Sequence, residues 1–350
     1  MTRILVVLFV SAGLACAGAG EDDAAQAGTP PSVEPLRNHV QALASRIRGE
    51  VGVTIRHIET GEGFHLNGDR QYPTASIYKL PIMVEAFRQA EEGTLRLQER
   101  VTIEPEMLHF SRILARFEPG LNPTFKDLIY WMITESENGA TDIVLERVGA
   151  EDVTGTMRSL GLKSITVSRT VKLMMADYTG IYDEAQRSLT GPAFQQMYQS
   201  RPAAAYYGRM WREPDLAIPE SVKKFNNDGM DHASPNDLAS LQEMIFRGKV
   251  VSPEASRRMI DIMLETTFAP DLIPGLLPPG TRVARKAGTL PTSLGETGII
   301  YLPDGKGHVI VTVMNRNLRE TRQDGARFIA RVARAAYDHF TTGTLSDTTP

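Results

Sequence analysis

The sequence contains a single cysteine among its 350 residues, Cys16. Because Cys16 lies in the apolar N-terminal segment, we expect the folded body to have no disulfide and no thiol chemistry. The seven histidines show no paired spacing such as His-x-His or His-Glu-x-x-His. We therefore expect neither a metal site nor any cofactor.

A strong excess of one charge is also missing. The formal net charge is −4 at pH 7, and no basic stripe runs along the chain. This balance argues against nucleic acid as a partner. The apolar run from Ile4 to Leu14 is too short to span a bilayer as a helix. With 42% hydrophobic and 23% charged residues, the composition is typical of a soluble globular protein.

Residues 1–20 have the pattern of an export signal, in which Arg3 precedes the apolar run and small residues follow it. The segment ending at Cys16 also loosely matches a lipoprotein cleavage site, so simple removal and a lipid anchor at Cys16 both stay open. Residues 21–32 are predicted to be a disordered tether. We therefore expect an exported protein, in the periplasm or on the cell surface.

The most informative stretch is Thr74-Ala75-Ser76-Ile77-Tyr78-Lys79, which precedes the apolar run 80–87. This run predicts a buried helix ending near Gly93, with Ser76 at its start and Lys79 one turn later on the same face. A serine hydroxyl needs a base to act as a nucleophile, and a lysine of lowered pKa can be that base. Helix N-terminal N–H groups also favour an oxyanion. The alternative interpretation is a helix-capping serine beside an exposed lysine.

A second Ser-x-x-Lys motif, Ser221 to Lys224, shows how common the pattern is. No apolar run follows it, and Asn-Asn-Asp-Gly comes soon after. We interpret this copy as a solvated turn.

Two further motifs strengthen the case for Ser76. Ser136-Glu137-Asn138 lies between two predicted helices, and Lys286-Ala287-Gly288-Thr289 closes a predicted strand. Each motif alone could be a helix cap or an edge-strand charge. In this chain order the three motifs resemble the Ser-x-x-Lys, Ser-Asp-Asn and Lys-Thr-Gly set of the penicillin-recognising serine enzymes. The motif spacing and the sequence of residues 136–142 are most similar to class A β-lactamases, over residues 36–337 apart from 168–227.

The resemblance implies a β-lactamase/transpeptidase-like α/β fold, with an antiparallel sheet flanked by helices and an inserted all-helical domain. The discontinuous α/β domain would comprise residues 33–75 and 235–342, and the mainly helical domain residues 76–234. Residues 343–350 would form a disordered tail. The active site would lie in the cleft where the two domains meet.

The resemblance also implies a serine hydrolase that opens β-lactam amides through an acyl-enzyme on Ser76. In this scheme Lys79 and Ser136 are catalytic, and the backbone N–H groups of Ser76 and Thr289 form an oxyanion hole. Substrate binding would fall to four residues: Asn138, Lys286, Gly288 and Thr289. The alternatives are a D,D-peptidase or esterase acting on a peptidoglycan-like acyl substrate, or a penicillin or cell-wall sensor that stays acylated. We expect a monomer.

Several positions depart from the family pattern. Glu137 replaces an aspartate, and Ala287 replaces a threonine whose hydroxyl helps to bind the substrate carboxylate. The arginine that the family places near this strand has no counterpart, because neither Arg282 nor Arg285 matches its position.

The largest departure concerns hydrolysis of the acyl-enzyme. The family activates water with a glutamate in Glu-x-x-Leu-Asn, shortly after the segment matched here by Leu160 to Leu162, and no carboxylate follows at the corresponding place. Glu213 begins a similar sequence further along the chain, with alanine in place of asparagine. Chance resemblance is our preferred interpretation, and Glu213 is only a weak candidate for the base.

Hydrophobic periodicity and capping residues such as Ser234 and Ser252 predict the remaining elements. We expect residues 99–161 to be mostly helical and make no assignment for 168–227. Helices are predicted at 33–48, 235–246, from 253 onward and at 322–340, and strands at 51–58, 64–66, 282–286, 295–302 and 308–315.

Overall fold

Both ends of the chain contribute strands to one five-stranded antiparallel sheet in the computed structural model, which describes residues 32–345. The strands are β1 (Glu50–His57), β2 (Gly63–Leu66), β3 (Tyr72–Pro73), β4 (His232–Ala233), β5 (Val283–Leu290), β6 (Ser293–Tyr301) and β7 (His308–Arg316). The sheet order is β2-β1-β7-β6-β5, and β3 pairs with β4 in a separate ribbon. The early strand β1 thus pairs with the last strand, β7.

The helices lie before, between and after these strands. They are α1 (Glu34–Ala44), α2 (Lys79–Glu91), α3 (Phe125–Thr134), α4 (Asn138–Val148), α5 (Ala150–Ser159), α6 (Val171–Thr179), α7 (Glu184–Arg187), α8 (Gly191–Ser200), α9 (Pro202–Met210), α10 (Glu220–Phe225), α11 (Pro235–Phe246), α12 (Pro253–Leu264) and α13 (Arg322–Thr342). The predicted caps at Ser234 and Ser252 are confirmed, since their side chains accept hydrogen bonds from Asp237 N and Ala255 N.

Two apolar cores lie on opposite faces of the sheet. One joins alternate residues of β1 and β7 to the terminal helices, for example Val53 and Val311 with Leu36 and Ile329. The larger core joins the other face to the helices between β3 and β5, with α2 at its centre. This arrangement confirms the predicted α/β fold with an antiparallel sheet and inserted helices. The exact domain boundaries stay a prediction, because residues from Val33 onward form one compact unit.

The prediction for residues 99–161 was wrong over its first part. Residues 99–124 hold only two short 3₁₀ turns, Pro105–Met107 and Leu114–Arg116, before α3 begins. Pro105, Pro119 and Pro123 each lack the N–H that a continuous helix needs. The apolar residues of this segment instead form a loop that lies beside α3 and α4, close to the functional site.

Residues 168–227, where no individual element is predicted within the mainly helical domain, form five helices, α6 to α10. The interpretation of Ser221 as a solvated turn was also wrong. Ser221 lies in α10, where its hydroxyl donates to Tyr178 O at 3.0 Å and bonds with the Tyr207 hydroxyl at 2.9 Å. It is a packing contact within this helical segment.

The predictions for the two chain ends concern mostly residues that the structure does not describe. The proposed signal at 1–20, Cys16 and nearly all of the proposed tether and tail lie outside the described residues. Within residues 32–345, no helix combines the length and the apolar character required to cross a membrane.

Candidate active site

The Ser76 turn lies at the junction between the sheet and the helical layer. Residues Ala75–Tyr78 form a 3₁₀ helix that leads directly into α2 at Lys79. Since side chains three residues apart eclipse in a 3₁₀ helix, Ser76 and Lys79 lie on the same side of the turn. Ser76 is the one residue of this turn that is not buried. Ala75, just before it, has a φ of +44°, a backbone conformation that costs free energy and often occurs at functional sites.

Lys79 is completely buried and joins the first two motifs. Its Nζ donates to the Ser136 carbonyl oxygen at 2.8 Å and to Asn138 Oδ1 at 2.8 Å. The Ser136 hydroxyl lies 3.3 Å from the same nitrogen. Burial lowers the pKa of Lys79 from its usual 10.5 to about 7, against the opposing charges of Glu137 and Asp142. A lysine with this pKa is substantially neutral at pH 7, as a general base must be.

Lys286 approaches Ser136 from the opposite side. Its Nζ lies 3.1 Å from the Ser136 hydroxyl and donates to the Ala287 carbonyl oxygen at 2.9 Å. Although β5 is an edge strand, Lys286 is fully buried, so the alternative of a solubilising edge charge is wrong. Burial, together with the nearby Lys79 charge, holds the Lys286 pKa well below its usual value.

The Ser136 hydroxyl therefore lies between two lysine nitrogens. A serine hydroxyl has one proton to donate and lone pairs to accept. When Lys79 is neutral, Ser136 can donate to Lys79 while it accepts from Lys286. Ser136 has a φ of +55°, and this strained backbone places its hydroxyl just before the start of α4, where the two lysines converge. The geometry is suited to relaying a proton.

Glu137 positions the wall of the site and does not act freely in it. As the N-cap of α4, it accepts from Gly139 N at 3.1 Å through one oxygen. Its other oxygen accepts from Arg112 N and Ile113 N, at 3.1 and 2.8 Å. Glutamate at this position thus both caps a helix and holds the 111–113 loop against it. The substitution of glutamate for the family's aspartate is accommodated.

The strand β5 lies directly against the Ser76 turn. A side chain at Gly288 would overlap the Thr74 carbonyl oxygen and crowd the backbone N of Ile77, at 3.1 Å from it. Only glycine allows this close approach of two backbones. The third motif is therefore held beside the first by contact with its backbone. Ala287 points away from Lys286, into the apolar core below α13.

A cavity of about 510 Å³, the mouth cavity, opens beside Thr289. Its lining comprises Arg112, Glu135, Trp211, Thr267, Phe268, Ala269, Pro270, Asp271, Thr289 and Arg322. The Arg112 guanidinium lies 5.1 Å above the Phe268 ring and donates to Glu135 O at 3.1 Å. Arg322 forms a bidentate ion pair with Asp271, at 2.6 and 2.9 Å. This cavity therefore has two guanidinium groups.

Arg112, Arg322 and Trp211 were missed by the sequence analysis, which looked for an arginine close to β5. Arg285 is instead buried against Glu296 at 2.6 Å, and Arg282 lies over the Tyr301 ring. The missed residues come from three distant parts of the chain. No local motif marks them, and only the tertiary fold places them at the site.

A buried arginine, Arg169, joins the beginning of the segment 168–231 to its end. Arg169 pairs with Asp231 at 2.6 Å, Asp177 at 2.8 Å and Asp228 at 2.9 Å. The chain then runs through α6 to α10, and just after α9 the Trp211 carbonyl oxygen accepts from Arg322 N at 3.0 Å. The segment therefore reaches the mouth cavity from the helical side of the molecule.

The candidate base Glu213 lies on the surface. It forms a bidentate ion pair with Arg209, one turn earlier, at 2.8 and 2.5 Å, and both side chains are about half exposed. The two carboxylates that act on the Lys79 charge are also engaged. Glu137 has both oxygens bound as described, and Asp142 accepts from Val171 N at 2.6 Å and Lys172 N at 3.1 Å. Among residues 32–345 no group of acidic, histidine or cysteine residues could hold a metal ion.

Three relatives place this geometry in context. The extended-spectrum β-lactamase PER-1 of Pseudomonas aeruginosa is 25% identical over 86% of both chains. The β-lactamase regulatory protein BlaB of Streptomyces cacaoi is 22% identical, covering 81% of this chain and 90% of its own. The crystal structure of a β-lactamase from Chitinophaga pinensis has the same fold, with a TM-score of 0.69 at 23% identity over 87% of this chain and 99% of that one.

The family assignment rests on a longer match. Residues 35–340 match the sequence model of the β-lactamase enzyme family, which takes in the sheet, the helical layer and all three motifs. The chain therefore belongs to the β-lactamase enzyme family.

Proposed function

We propose that this protein is a β-lactamase, a serine hydrolase that opens β-lactam amides through an acyl-enzyme on Ser76. The observation that carries the proposal is that the Nζ atoms of Lys79 and Lys286 lie 3.3 and 3.1 Å from the Ser136 hydroxyl. Lys79 itself lies one turn after Ser76. A buried neutral lysine, a relaying hydroxyl and a second cation are what this acyl transfer needs.

The first half of the reaction can be written with this chain's residues. Neutral Lys79 takes the Ser76 proton as the Ser76 oxygen attacks the lactam carbonyl. The N–H groups of Ser76 and Thr289 hold the oxyanion, a contribution commonly worth about 3 kcal/mol per donor. As the C–N bond breaks, Ser136 gives its proton to the lactam nitrogen and recovers one from the Lys79 ammonium. Lys79 is then neutral again, and the acyl group is esterified to Ser76.

Recognition of the substrate falls to the groups around this centre. Asn138 would bind the acyl amide, and its hydrogen bond with Lys79 supports this role. Lys286 supplies positive charge for the substrate carboxylate. Thr289 lines the mouth cavity with Arg112 and Arg322, which stand in for the arginine that is absent near β5.

Mass spectrometry after mixing with a penicillin tests the proposal. We expect a Ser76 adduct that returns to free enzyme, and no adduct in Ser76→Ala. Ser221→Ala is the matched control, because Ser221 opens the second Ser-x-x-Lys and packs against Tyr178 and Tyr207. An adduct on any other residue, or an unchanged adduct in Ser76→Ala, contradicts the assignment.

A second candidate function is a penicillin sensor that stays acylated. It is favoured by the absence of a free carboxylate beside Lys79 among the described residues, and the Streptomyces cacaoi relative is named as a regulatory protein. The same experiment separates the two, since a sensor keeps its adduct for hours. Ester turnover without a penicillin adduct would instead indicate an esterase, and a lasting adduct with D,D-peptide cleavage a peptidase.

The cellular setting is part of the proposal. We infer export through the N-terminal signal to the periplasm or cell surface, as a monomer, with a lipid anchor at Cys16 as an open alternative. Hydrolysis of β-lactams there would protect the cell from these antibiotics. Replacing Cys16 with serine leaves a simply secreted protein in solution and releases a lipid-anchored one from the membrane fraction.

A further inference from the structure

A buried ion pair joins β5 to β6, next to Lys286 in the sequence. Arg285 Nη1 donates to Glu296 Oε1 at 2.6 Å, and the two side chains are only 3% and 0% exposed. Because side chains alternate along a strand, Arg285 lies on the opposite face of the sheet from Lys286. Glu296 pairs with Ala287, whose side chain packs in the core below α13, so the carboxylate lies on that face too. The ion pair is therefore on the side of the sheet away from Ser136.

The other hydrogen bonds of this ion pair go to one stretch of backbone, residues 266–273, which we name the mouth segment. The Arg285 guanidinium donates to Thr266 O and to Ala269 O, both at 3.1 Å. The second carboxylate oxygen of the pair accepts from Ile273 N at 2.6 Å. The ion pair thus binds the beginning, the middle and the end of the mouth segment.

The mouth segment has little regular structure of its own. It forms neither helix nor strand between the end of α12 and Ile273. Ala269 has a φ of +52°, a conformation whose cost other contacts must offset. Gly298 of β6 pairs with Arg285 and leaves space there, because a Cβ at Gly298 would lie 3.0 Å from Arg285 Cβ and 3.3 Å from Ile273 Cδ1. The sheet therefore makes room for both the arginine and the segment that it holds.

The mouth segment supplies half of the residues that line the mouth cavity. The Phe268 ring contacts two cations, since the Arg112 guanidinium and Lys286 Nζ lie 5.1 and 5.7 Å from its centroid. Asp271 holds Arg322 through the bidentate ion pair. The position of the mouth segment therefore determines where three positive charges lie.

We propose that Arg285 and Glu296 are positioning residues, which fix the mouth segment so that these positive charges meet the carboxylate of a β-lactam substrate. This inference rests on the proposed function, in which Lys286, Arg112 and Arg322 recognise that carboxylate. Arg285 and Glu296 do not touch the substrate themselves. They act from the other face of the sheet, through the backbone of the mouth segment. A buried ion pair that only stabilised the fold would affect all substrates alike.

One penicillin and its methyl ester test the inference, because only the free acid carries the negative charge. The double variant Arg285→Met with Glu296→Leu replaces the ion pair by apolar side chains of similar volume, an exchange that folded proteins often tolerate. The mouth segment then loses its three hydrogen bonds to the pair. The ratio of kcat/KM for lactam opening, free acid to ester, should fall about tenfold, the typical effect of losing a hydrogen bond to a charged group. An unchanged ratio in the folded double variant overturns the inference.

A milder variant and a matched control complete the test. Glu296→Gln keeps the size of the side chain but replaces one acceptor oxygen by an NH₂ group, so the bond to Arg285 or the bond to Ile273 N is lost. The same ratio should fall about threefold or more. The control, Arg56→Met with Glu243→Leu, removes a pair of 2.9 Å that does not line the mouth cavity, and it should keep the wild-type ratio. Urea unfolding shows which variants are folded, and Glu296→Gln decides if the double variant is not.

Each remaining outcome also bears on the inference. A wild-type ratio in Glu296→Gln, or an equal fall in the control, overturns it. If the wild-type protein opens the free acid and the ester equally well, the inference is overturned and the proposed function stands. If neither compound acylates Ser76, the proposed function and this inference are overturned together.

Discussion

The pKa of a single buried lysine, Lys79, determines the pH dependence of acylation. Its pKa of about 7 lies below the usual lysine value because of burial, and only the neutral form can take a proton from Ser76. We expect kcat/KM to rise about tenfold per pH unit below pH 7 and to stop rising above it. A stopped-flow pH profile checks this, and a flat profile between pH 5 and 7 contradicts it.

The negative charge of Glu137 raises the pKa of Lys79 and so counteracts the effect of burial. Because Glu137 raises the Lys79 pKa by electrostatic attraction, Glu137→Gln should move the midpoint of the pH profile to lower pH. Glu151→Gln is the control, since Glu151 is exposed at the start of the next helix, α5, and is not among the charges that shift the Lys79 pKa. The midpoint reports the charge even where the variant also lowers the rate. A midpoint that moves upward contradicts the electrostatic account.

Lys286 should affect charged and neutral substrates differently. Losing its charge in a buried site should cost roughly 2 kcal/mol or more in binding a substrate carboxylate. We therefore expect Lys286→Ala to slow acylation by anionic β-lactams about thirtyfold or more, and hydrolysis of a neutral ester far less. Equal losses on both substrates would mean that Lys286 acts through Ser136 and Lys79 alone.

Among the secondary-structure elements, the contact between β5 and the Ser76 turn is the tightest at the site. Gly288→Ala places a methyl group on the Thr74 carbonyl oxygen, so β5 or the turn must move. We expect a loss of about 1–3 kcal/mol in the free energy of unfolding and a slower acylation rate. Gly155→Ala is the control, because a methyl group at Gly155 meets no atom within 4 Å, and alanine should stabilise α5 by about 0.5–1 kcal/mol. Urea unfolding curves for both variants check the two signs, and a stable Gly288→Ala would contradict the close packing.

The ion-pair cluster of Arg169 closes the segment that carries α6 to α10. Arg169→Ala leaves the carboxylates of Asp177, Asp228 and Asp231 close together without their shared cation, and we expect a cost of about 3–5 kcal/mol. Arg209→Ala breaks only the exposed pair with Glu213 and should leave the unfolding midpoint nearly unchanged. Thermal unfolding of both variants measures the difference, and similar midpoints would mean that the cluster is not needed for stability.

How far the sequence predicts the site depends on what places each residue. Ser76, Lys79 and Ser136 belong to short motifs whose local turns position them, so the pattern alone points to them. Arg112 lies in a proline-rich loop and Trp211 in a segment of five helices. No hydrophobic periodicity in the sequence marks either residue as part of the site. The resemblance of the three motifs to a known family implied the fold, while strand alternation and helix caps such as Ser234 predicted individual strands and helices. The prediction of helix failed at 99–124, where apolar spacing resembles a helix but the prolines do not allow one.

For the whole catalytic cycle, the slow step should be the release of the acyl group. Glu213 is on the surface, and the carboxylates of Glu137 and Asp142 are bound to backbone N–H groups. Without general-base help worth about a hundredfold, the acyl-enzyme should accumulate. We expect a burst of one enzyme equivalent followed by a slow steady state, unchanged in Glu213→Gln. Fast turnover without a burst means that another group activates water, and a burst that appears only in Glu213→Gln identifies that group as Glu213.

The pairing of β1 with β7 has a consequence for the life of the chain before it folds. Glu50 pairs with Arg316, so the centre of the sheet joins residues that lie far apart in the sequence. Strand pairing over such a sequence separation is slow, and here it cannot begin until the ribosome has made the chain as far as β7. During synthesis, β1 therefore stays without its partner strand β7 until β7 has been made. A chain whose sheet forms this late remains unfolded long enough to pass through a narrow channel.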